Sequence, residues 1–464
     1  MGNKKMKLAV PHVYILLLGL ILIGAVLSYI IPAGQYDMTM VGSREVIDAE
    51  TYHVIEQTPV SLMQFLSAVP RGMSESAQII FFIFIIGGVF AVLQETRAIE
   101  AGIGKLLKVL KGKTLVIIPV IFFLFSMGAS AFGMSEETIP FVPIMVSLCI
   151  AMGYDSITGA AIVLCGSAAG YAGAFLNPFT VQVAQSIAGL PILSGMAYRI
   201  VMFIVIVAAT AACIMLYAVK IKKNPLKSSM YEIDKNRKDV IDLDHLQEFG
   251  IKEKAILLVF LLTIVLLVYG VITWGWYMDE IVALFFGMSL VIAAIAGMSP
   301  NTYAELLGKG MAEIASGALV VGFARGVLVI MTDGNILHTV LHATATLLGN
   351  LPSMVSALGM YVFQCLLNFI VPSGSGQAAV SIPILAPLSD LVGVTRQTSC
   401  IAFQIGDGIS NAFTPTSGTL MAALAFAKIP WAKWAKWILP LLGIQYLIGA
   451  IFVMTAQIIG IGPF

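Results

Sequence analysis

The chain has 464 residues, 59% of them apolar and only 11% charged, with a formal net charge of +1. Such a composition, with its long uncharged runs, describes a polytopic helical membrane protein, and its charges are not gathered into a patch for nucleic acid. Five cysteines (Cys149, Cys165, Cys213, Cys365 and Cys400) contain no CxxC pair, which argues against a disulfide framework or a structural zinc site.

The basic start MGNKKMK leads into an apolar run at 13–31. At ~19 residues that run exceeds the 7–15 of a signal-peptide core and reads as a first spanning helix. Met6 stands where a myristoylation signal needs Ser or Thr. Further spans are expected at 76–95, 199–219, 255–273, 281–298, 312–332 and 436–457. Segments 115–152 and 354–393 are too long for one crossing and polar at their centres, so each reads as a re-entrant hairpin. Segments 156–188 and 397–427 are interrupted by Gly, Ser, Asn and Pro and read as broken helices. The expected fold is therefore all-α and polytopic, with about nine transmembrane helices plus two re-entrant helical hairpins and two broken helices. Irregular backbone at membrane depth requires a shield of protein or a water-filled cavity.

With the N-terminus inside, segments 1–12, 96–114, 220–254, 299–311 and 428–436 are cytoplasmic and hold 21 of the 26 Lys and Arg residues. This asymmetry puts the N-terminus in the cytoplasm and the C-terminus outside. The mixed-sign stretch 220–254 reads as a solvated linker. Residues 100–113, with Lys105, Lys108 and Lys111 at helical spacing, suggest a short helix lying in the inner interface.

The halves repeat one another. Arg71-Gly-Met-Ser-Glu75 matches Lys309-Gly-Met-Ala-Glu313, Thr138-Ile139-Pro140 matches Ser381-Ile382-Pro383, and Asn177-Pro178 matches Thr414-Pro415. Residues 1–219 form a first repeat, 220–254 the linker, 255–273 a connecting helix and 281–464 a second, inverted repeat. Inverted repeats with discontinuous helices at matching positions mark a secondary transporter, with its site near the midplane.

The FGMSEETIPFVPIM, GAFLNPFT, IVPSGSGQAAVSIPI and NAFTPTSG segments resemble the C4-dicarboxylate anaerobic carrier family, closest to its YfcC-type branch, within the broader ion transporter superfamily. The resemblance runs from about residue 8 to the end. It implies an elevator-type carrier, often a homodimer, in the bacterial cytoplasmic membrane. Relatives are associated with dicarboxylates or with basic amino acid exchange.

Candidate site residues come from the four irregular segments. In the first hairpin, Ser130, Ser135, Glu136 and Glu137 sit at the tip. Acids at a helix start complement the dipole by about 0.3–1 kcal/mol, less than the ~2.5–3.5 kcal/mol that an acidic side chain costs at membrane depth. A role in substrate recognition, or in binding a coupling cation or proton, is therefore expected for at least one of Glu136 and Glu137, and the two are not ranked. The second tip offers Ser373, Ser375 and Gln377, donors suited to a carboxylate at a half-helix N-terminus. The broken helices add Asn177, Asp407, Ser410, Asn411, Thr414 and Thr416. Freed carbonyls with Asp407 and Asn411 suit Na⁺, and Asp407, Ser410 and Thr416 are the coupling-ion candidates beside the two glutamates. For any single Ser or Thr, a hydroxyl bonded to its own helix is the plainer alternative. Arg325, the one basic residue inside an expected span, faces a substrate carboxylate or pairs with Asp407, Glu136 or Glu137. Glu75, Glu95, Glu313 and Asp333 read as interface anchors and caps. His338 and His342 lack the further ligands of a zinc site.

These features point to a secondary active carrier of a small carboxylate-bearing metabolite, coupled to Na⁺ or H⁺ or working by exchange. Three membrane acids against one arginine favour an amino acid, and among amino acids a basic one. A C4-dicarboxylate is the alternative substrate, and an ion channel or ion-only exchanger the alternative of another class. GxSxG, HExxH and P-loop motifs are absent, which argues against an enzyme, and no cofactor beyond a coupling ion is expected.

Overall fold

A computed structural model describes residues 12–41, 44–99, 101, 102, 105, 114–237 and 249–462. Most of the interface helix expected at 100–113, and the middle of the linker, lie outside the described residues. The first half runs α1 (Val13–Leu27), α2 (Leu62–Glu75), α3 (Ala77–Glu95), α4 (Ile117–Phe132), α5 (Phe141–Ala151), α6 (Ser156–Ala172), α7 (Val181–Ile187) and α8 (Met196–Lys223). A short α9 (Tyr231–Lys235) precedes α10 (Ile251–Tyr269), α11 (Met278–Ala296) and α12 (Pro300–Asp333). Then come α13 (Leu337–Gly349), α14 (Ser353–Leu367), α15 (Gly374–Leu391), α16 (Arg396–Ser410), α17 (Gly418–Phe426) and α18 (Trp431–Ile458). Among the described residues, six helices are long and apolar enough to cross a membrane.

Two helices differ from the expectation. Helix α2 is not among the expected spans, because Pro70, Arg71 and its polar residues keep it below any spanning threshold. Its start is nonetheless written in a Ser61-x-x-Gln64 capping box: Ser61 N donates to Gln64 Oε1 at 2.8 Å, and Gln64 N to Ser61 Oγ at 3.3 Å. The span expected at 312–332 and the loop before it form one 34-residue helix, α12, started by the Ser299 cap and by Pro300 at its first position. Polar residues such as Glu305 and Lys309 leave the hydropathy window without ending the helix.

The helices pack in two groups. Helix α12 runs along α1, α2 and α3, while α10 and α11 close the far side of α3. A core of Phe82, Ile83, Ile86, Phe90, Ile281, Phe285 and Ile292 holds that group together. In the second group α4 and α5 pack on α6, α14 and α15 pack on α16, and α6 and α16 pack on each other, with α8 and α18 outside. Gly408 allows the last contact, since a Cβ there would lie 2.3 Å from Ala172 N. Helix α17 touches α12 and so bridges the groups.

Between α1 and α2 the chain forms two small antiparallel sheets, β1 (Gly34–Gln35) with β4 (His53–Val54) and β2 (Met38–Val41) with β3 (Arg44–Ile47). Strand β3 packs on α15, and the β1–β4 side docks on α13: Tyr36 N donates to His338 Nδ1 at 3.1 Å, the Tyr36 hydroxyl lies 3.2 Å from His342 Nδ1, and the Tyr52 ring stacks on His342 at 3.8 Å. Partial burial lowers the pKa of His338, because desolvation disfavours the charged ring. A depressed folded-state value adds stability that is complete above the unfolded-state pKa of about 6.5 and is lost as pH falls through the folded value. The thermal midpoint is therefore expected to drop on acidification from neutral pH, and to drop less in His338→Gln, whose amide oxygen still accepts a hydrogen bond. An equal drop in both proteins would remove His338 as the cause.

Candidate functional site

The two tips are built differently. Helix α4 stops at Gly133, whose φ of 73° is left-handed, and the chain resumes through a short turn at Glu136–Thr138 before α5. Around this first tip several polar connections run to the α6–α7 segment. Asn177 Nδ2 donates to Ala129 O at 3.0 Å, and its Oδ1 accepts from Phe179 N at 2.8 Å and Thr180 N at 3.1 Å. Ser130 Oγ accepts from Phe175 N at 3.2 Å, Ser167 Oγ donates to Met134 O at 3.0 Å, and the Tyr171 hydroxyl donates to Gly133 O. The segment between α6 and α7, which contains Pro178, is thereby latched to the tip. Pro178 cannot donate a helical hydrogen bond, so the break there is intrinsic.

The two glutamates separate. Glu137 is 3% exposed, and its Oε2 accepts from Ser135 N at 2.8 Å, so it turns inward and fastens the tip. Glu136 is half-buried and faces the other way, accepting from Thr419 Oγ1 at 3.0 Å. It therefore links the first tip to the break in the second half.

The second tip, Asn368–Ser373, lies between α14 and α15, with Ser373 capping α15. Behind it runs a buried polar chain. Gln377 Nε2 donates to Gln364 Oε1 at 2.7 Å, while Asn368 Nδ2 donates to Gln377 Oε1 at 3.1 Å and to Asp407 Oδ1 at 3.0 Å. Asn411 Nδ2 donates to the same Asp407 oxygen at 3.0 Å. Asp407 is fully buried. The α16–α17 break is closed by Ser417, which caps α17, and by a 2.7 Å bond between the hydroxyls of Thr414 and Thr416. Ser410 Oγ lies 3.0 Å from the Tyr446 hydroxyl.

A cavity of 340 Å³ opens where the two helix groups meet. Gly133, Ser135 and Glu136 line it from the first tip, Ser373 and Ser375 from the second, and Asn411, Thr416 and Thr419 from the α16–α17 break. Glu75, Tyr277 and Arg325 face them from the other group. Of the candidates read from sequence, Ser135, Glu136, Ser373, Ser375, Arg325, Asn411 and Thr416 thus share one cavity. Ser130, Glu137, Asn177, Gln377, Asp407, Ser410 and Thr414 do not line it and lie in the supporting hydrogen-bond networks.

Arg325 corrects the expectation most clearly. Its ion pair is with Glu75, Nε to Oε2 at 2.9 Å, not with Asp407, Glu136 or Glu137. Glu75, the last residue of α2, accordingly lines the cavity and pairs with Arg325 rather than anchoring the interface. The pair repeats along the α2–α12 seam, where Arg71 and Asp333 meet at 2.5 Å. The sequence cue that was available is spacing: Arg71 and Glu75 lie four residues apart on α2, and Arg325 and Asp333 eight residues, about two turns, apart on α12, so each helix presents both charges on one face. Tyr171, Tyr277 and Thr419 also line the cavity and were not singled out beforehand.

A family model for the C4-dicarboxylate anaerobic carriers matches residues 10–458. The chain belongs to the C4-dicarboxylate anaerobic carrier family. This carrier is 34% identical to an Escherichia coli (strain K12) protein provisionally named the basic amino acid antiporter YfcC, with 97% of each chain covered. It is 30% identical to a Haemophilus influenzae protein described only as uncharacterized, over 87% of this chain and 80% of that one. Among solved structures it matches the YdaH transporter of Alcanivorax borkumensis at a TM-score of 0.43 and 14% identity, over 98% and 100% of the chains. It matches MtrF of Neisseria gonorrhoeae, titled as one of a class of antimetabolite efflux pumps, at 0.44 and 17%, over 97% and 96%. The carrier is a multi-pass membrane transporter of a small-molecule substrate.

Proposed function

We propose that this carrier exchanges a basic amino acid across the bacterial cytoplasmic membrane, by an elevator motion between inverted repeats. One observation carries the substrate reading: the cavity is lined by one cation, Arg325, and two acids, Glu75 paired with it and Glu136 on the first tip. A basic amino acid presents the complementary set, one carboxylate and one α-ammonium on the same carbon and a second cation at the end of its side chain. Arg325 would take the carboxylate through its planar fork, Glu75 the α-ammonium, and Glu136 with Thr419 the side-chain cation. A C4-dicarboxylate has two anions and would meet one cation against two acids, so the charge balance disfavours it.

The elevator reading is supported by the position of the cavity between two separately packed helix groups. One group carries both tips and both breaks, and the other carries the Glu75–Arg325 pair. In this reading α4–α7 and α14–α17 move the substrate past α1–α3 and α10–α12. The unit is a homodimer, with the N-terminus in the cytoplasm and the C-terminus outside.

Equilibrium binding to the purified carrier tests the substrate. Arginine, ornithine and lysine are expected to bind at least about tenfold more tightly than a neutral amino acid, since one charge-assisted contact contributes ~1.5–3 kcal/mol. Succinate binding as tightly as arginine would overturn the substrate reading and leave the transporter assignment intact.

A further inference from the structure

One fully buried cation lies outside the cavity, and among the described residues no carboxylate pairs with it. Arg199, near the start of α8, is 0% exposed. Its Nε donates to Gln404 Oε1 at 2.8 Å, its Nη1 to Ser194 O at 2.6 Å and its Nη2 to Gln397 Oε1 at 3.0 Å. The backbone beside it is shaped to admit the guanidinium. Gly195 stands at a φ of 70°, and a Cβ there would lie 3.2 Å from Arg199 Nη1 and 2.8 Å from Gln397 Nε2. Gln397 and Gln404 are seven residues, about two turns, apart on α16 and so share one face.

A charge taken out of water and met only by neutral acceptors is costly. What it secures here is direction. A guanidinium offers donors and no acceptor, whereas a glutamine amide has one end of each kind. Arg199 therefore draws Oε1 of both glutamines toward itself and turns their Nε2 groups away. Gln397 Nε2 donates to Ser194 Oγ at 2.7 Å, and Gln404 Nε2 donates to Ala172 O at 3.0 Å and Ala174 O at 2.7 Å. Those two carbonyls lie at and just past the end of α6, where the helix supplies no partner of its own. From there the chain runs directly onto the first tip. Phe175 N donates to Ser130 Oγ at 3.2 Å, Leu176 N to Ser130 O at 3.2 Å, and Asn177 Nδ2 to Ala129 O at 3.0 Å. Gly133, Ser135 and Glu136 of the same tip line the cavity.

We propose that Arg199 is a positioning residue for the substrate cavity. It does not line the cavity; by fixing the orientation of the Gln404 amide it holds the first break, and through the break the tip that carries Glu136. Without the guanidinium the Gln404 amide can turn over, which sets Oε1 against the Ala172 and Ala174 carbonyls and releases residues 172–177. The second tip is held by a separate chain through Asn368, Gln377 and Gln364. The proposal rests on the transporter assignment and on the cavity as its site, and not on which substrate is carried.

Hydrogen–deuterium exchange on the full-length carrier, purified without substrate, tests the positioning directly. In Arg199→Met the backbone amides of residues 129–138 and 172–177 are expected to exchange about tenfold faster, with residues 364–377 unchanged. Arg199→Lys keeps the charge and some of the donors, and is expected to recover part of the protection. Should Arg199→Met fail to fold, Gln404→Glu supplies the same test. Its carboxylate still accepts from Arg199 but has no hydrogen for the break carbonyls, so the same two segments are expected to open. In proteoliposomes, labelled-arginine counterflow by Arg199→Met is expected to half-saturate at about tenfold higher arginine, with the maximal rate changed far less. Faster exchange spread evenly over both tips, or Arg199→Lys behaving as Arg199→Met, would make Arg199 a general stabiliser and overturn the proposal. Unaltered protection of the break in Gln404→Glu would overturn it too. Locally faster exchange with no arginine transport, even by the unaltered carrier, would support the proposal and remove only the basic amino acid reading.

Discussion

Arg325→Gln is expected to lower the efficiency of arginine exchange about 10²-fold, with little loss of stability. The two halves of that expectation have different physical origins. The Arg325 and Glu75 side chains are 43% and 41% exposed, and an ion pair so solvated contributes only about 0–1 kcal/mol to the fold. A carboxylate bound by the same guanidinium in a closing cavity loses its water. Removing one partner of such a pair costs about 2–5 kcal/mol, where each 1.4 kcal/mol is tenfold. Arg325→Lys keeps the charge but loses the fork, so it should recover only part of the activity. Uptake into proteoliposomes and a melting curve on the same preparation check both halves. A Gln variant that transports normally would remove Arg325 from recognition, and one that unfolds would make it structural.

The second large effect separates Glu136 from Glu137. Glu136→Gln is expected to reduce arginine exchange about 10²-fold while affecting any residual neutral amino acid exchange far less. Glutamine preserves the size of the side chain and can still accept from Thr419, so the loss reports charge. Glu137→Gln changes a carboxylate that meets Ser135 N inside the tip, and should lower stability and the rates for all substrates alike. Competition between arginine and a neutral amino acid in each variant supplies the ratio. An unchanged ratio in Glu136→Gln, or a shifted ratio in Glu137→Gln, would reverse the assignment.

Much of this arrangement is legible in the residues, for identifiable reasons. Glycine, proline and paired polar residues cannot sit quietly in an apolar helix, so both tips and both breaks announce themselves. Gly133 ends α4 and Ser373 starts α15 within the segments expected as hairpins. The direction in which neighbouring side chains point was not legible. Glu136 and Glu137 are adjacent in a single-turn 3₁₀ segment, and only the packed tip turns one toward Thr419 and the other toward Ser135. Arg325 was singled out because it lies inside a span, but its partner sits on α2, which hydropathy passes over. Glu75 was therefore read as an interface anchor when it is one of the three charged residues that line the cavity. Side chains such as Asn177 and Gln377 looked like ligands because polar groups at membrane depth are costly. In the structure Asn177 makes three hydrogen bonds to local backbone, and Gln377 bonds Gln364 and Asn368.

Counterflow in proteoliposomes tests the central claim most directly. Vesicles loaded with unlabelled arginine are diluted into labelled arginine, and ornithine, a neutral amino acid or succinate is offered as competitor. Transient accumulation of label, suppressed by external ornithine and not by succinate, is the predicted result. Exchange that requires succinate inside and outside, with no arginine signal, would contradict the reading of Glu75, Arg325 and Glu136 as a basic amino acid site.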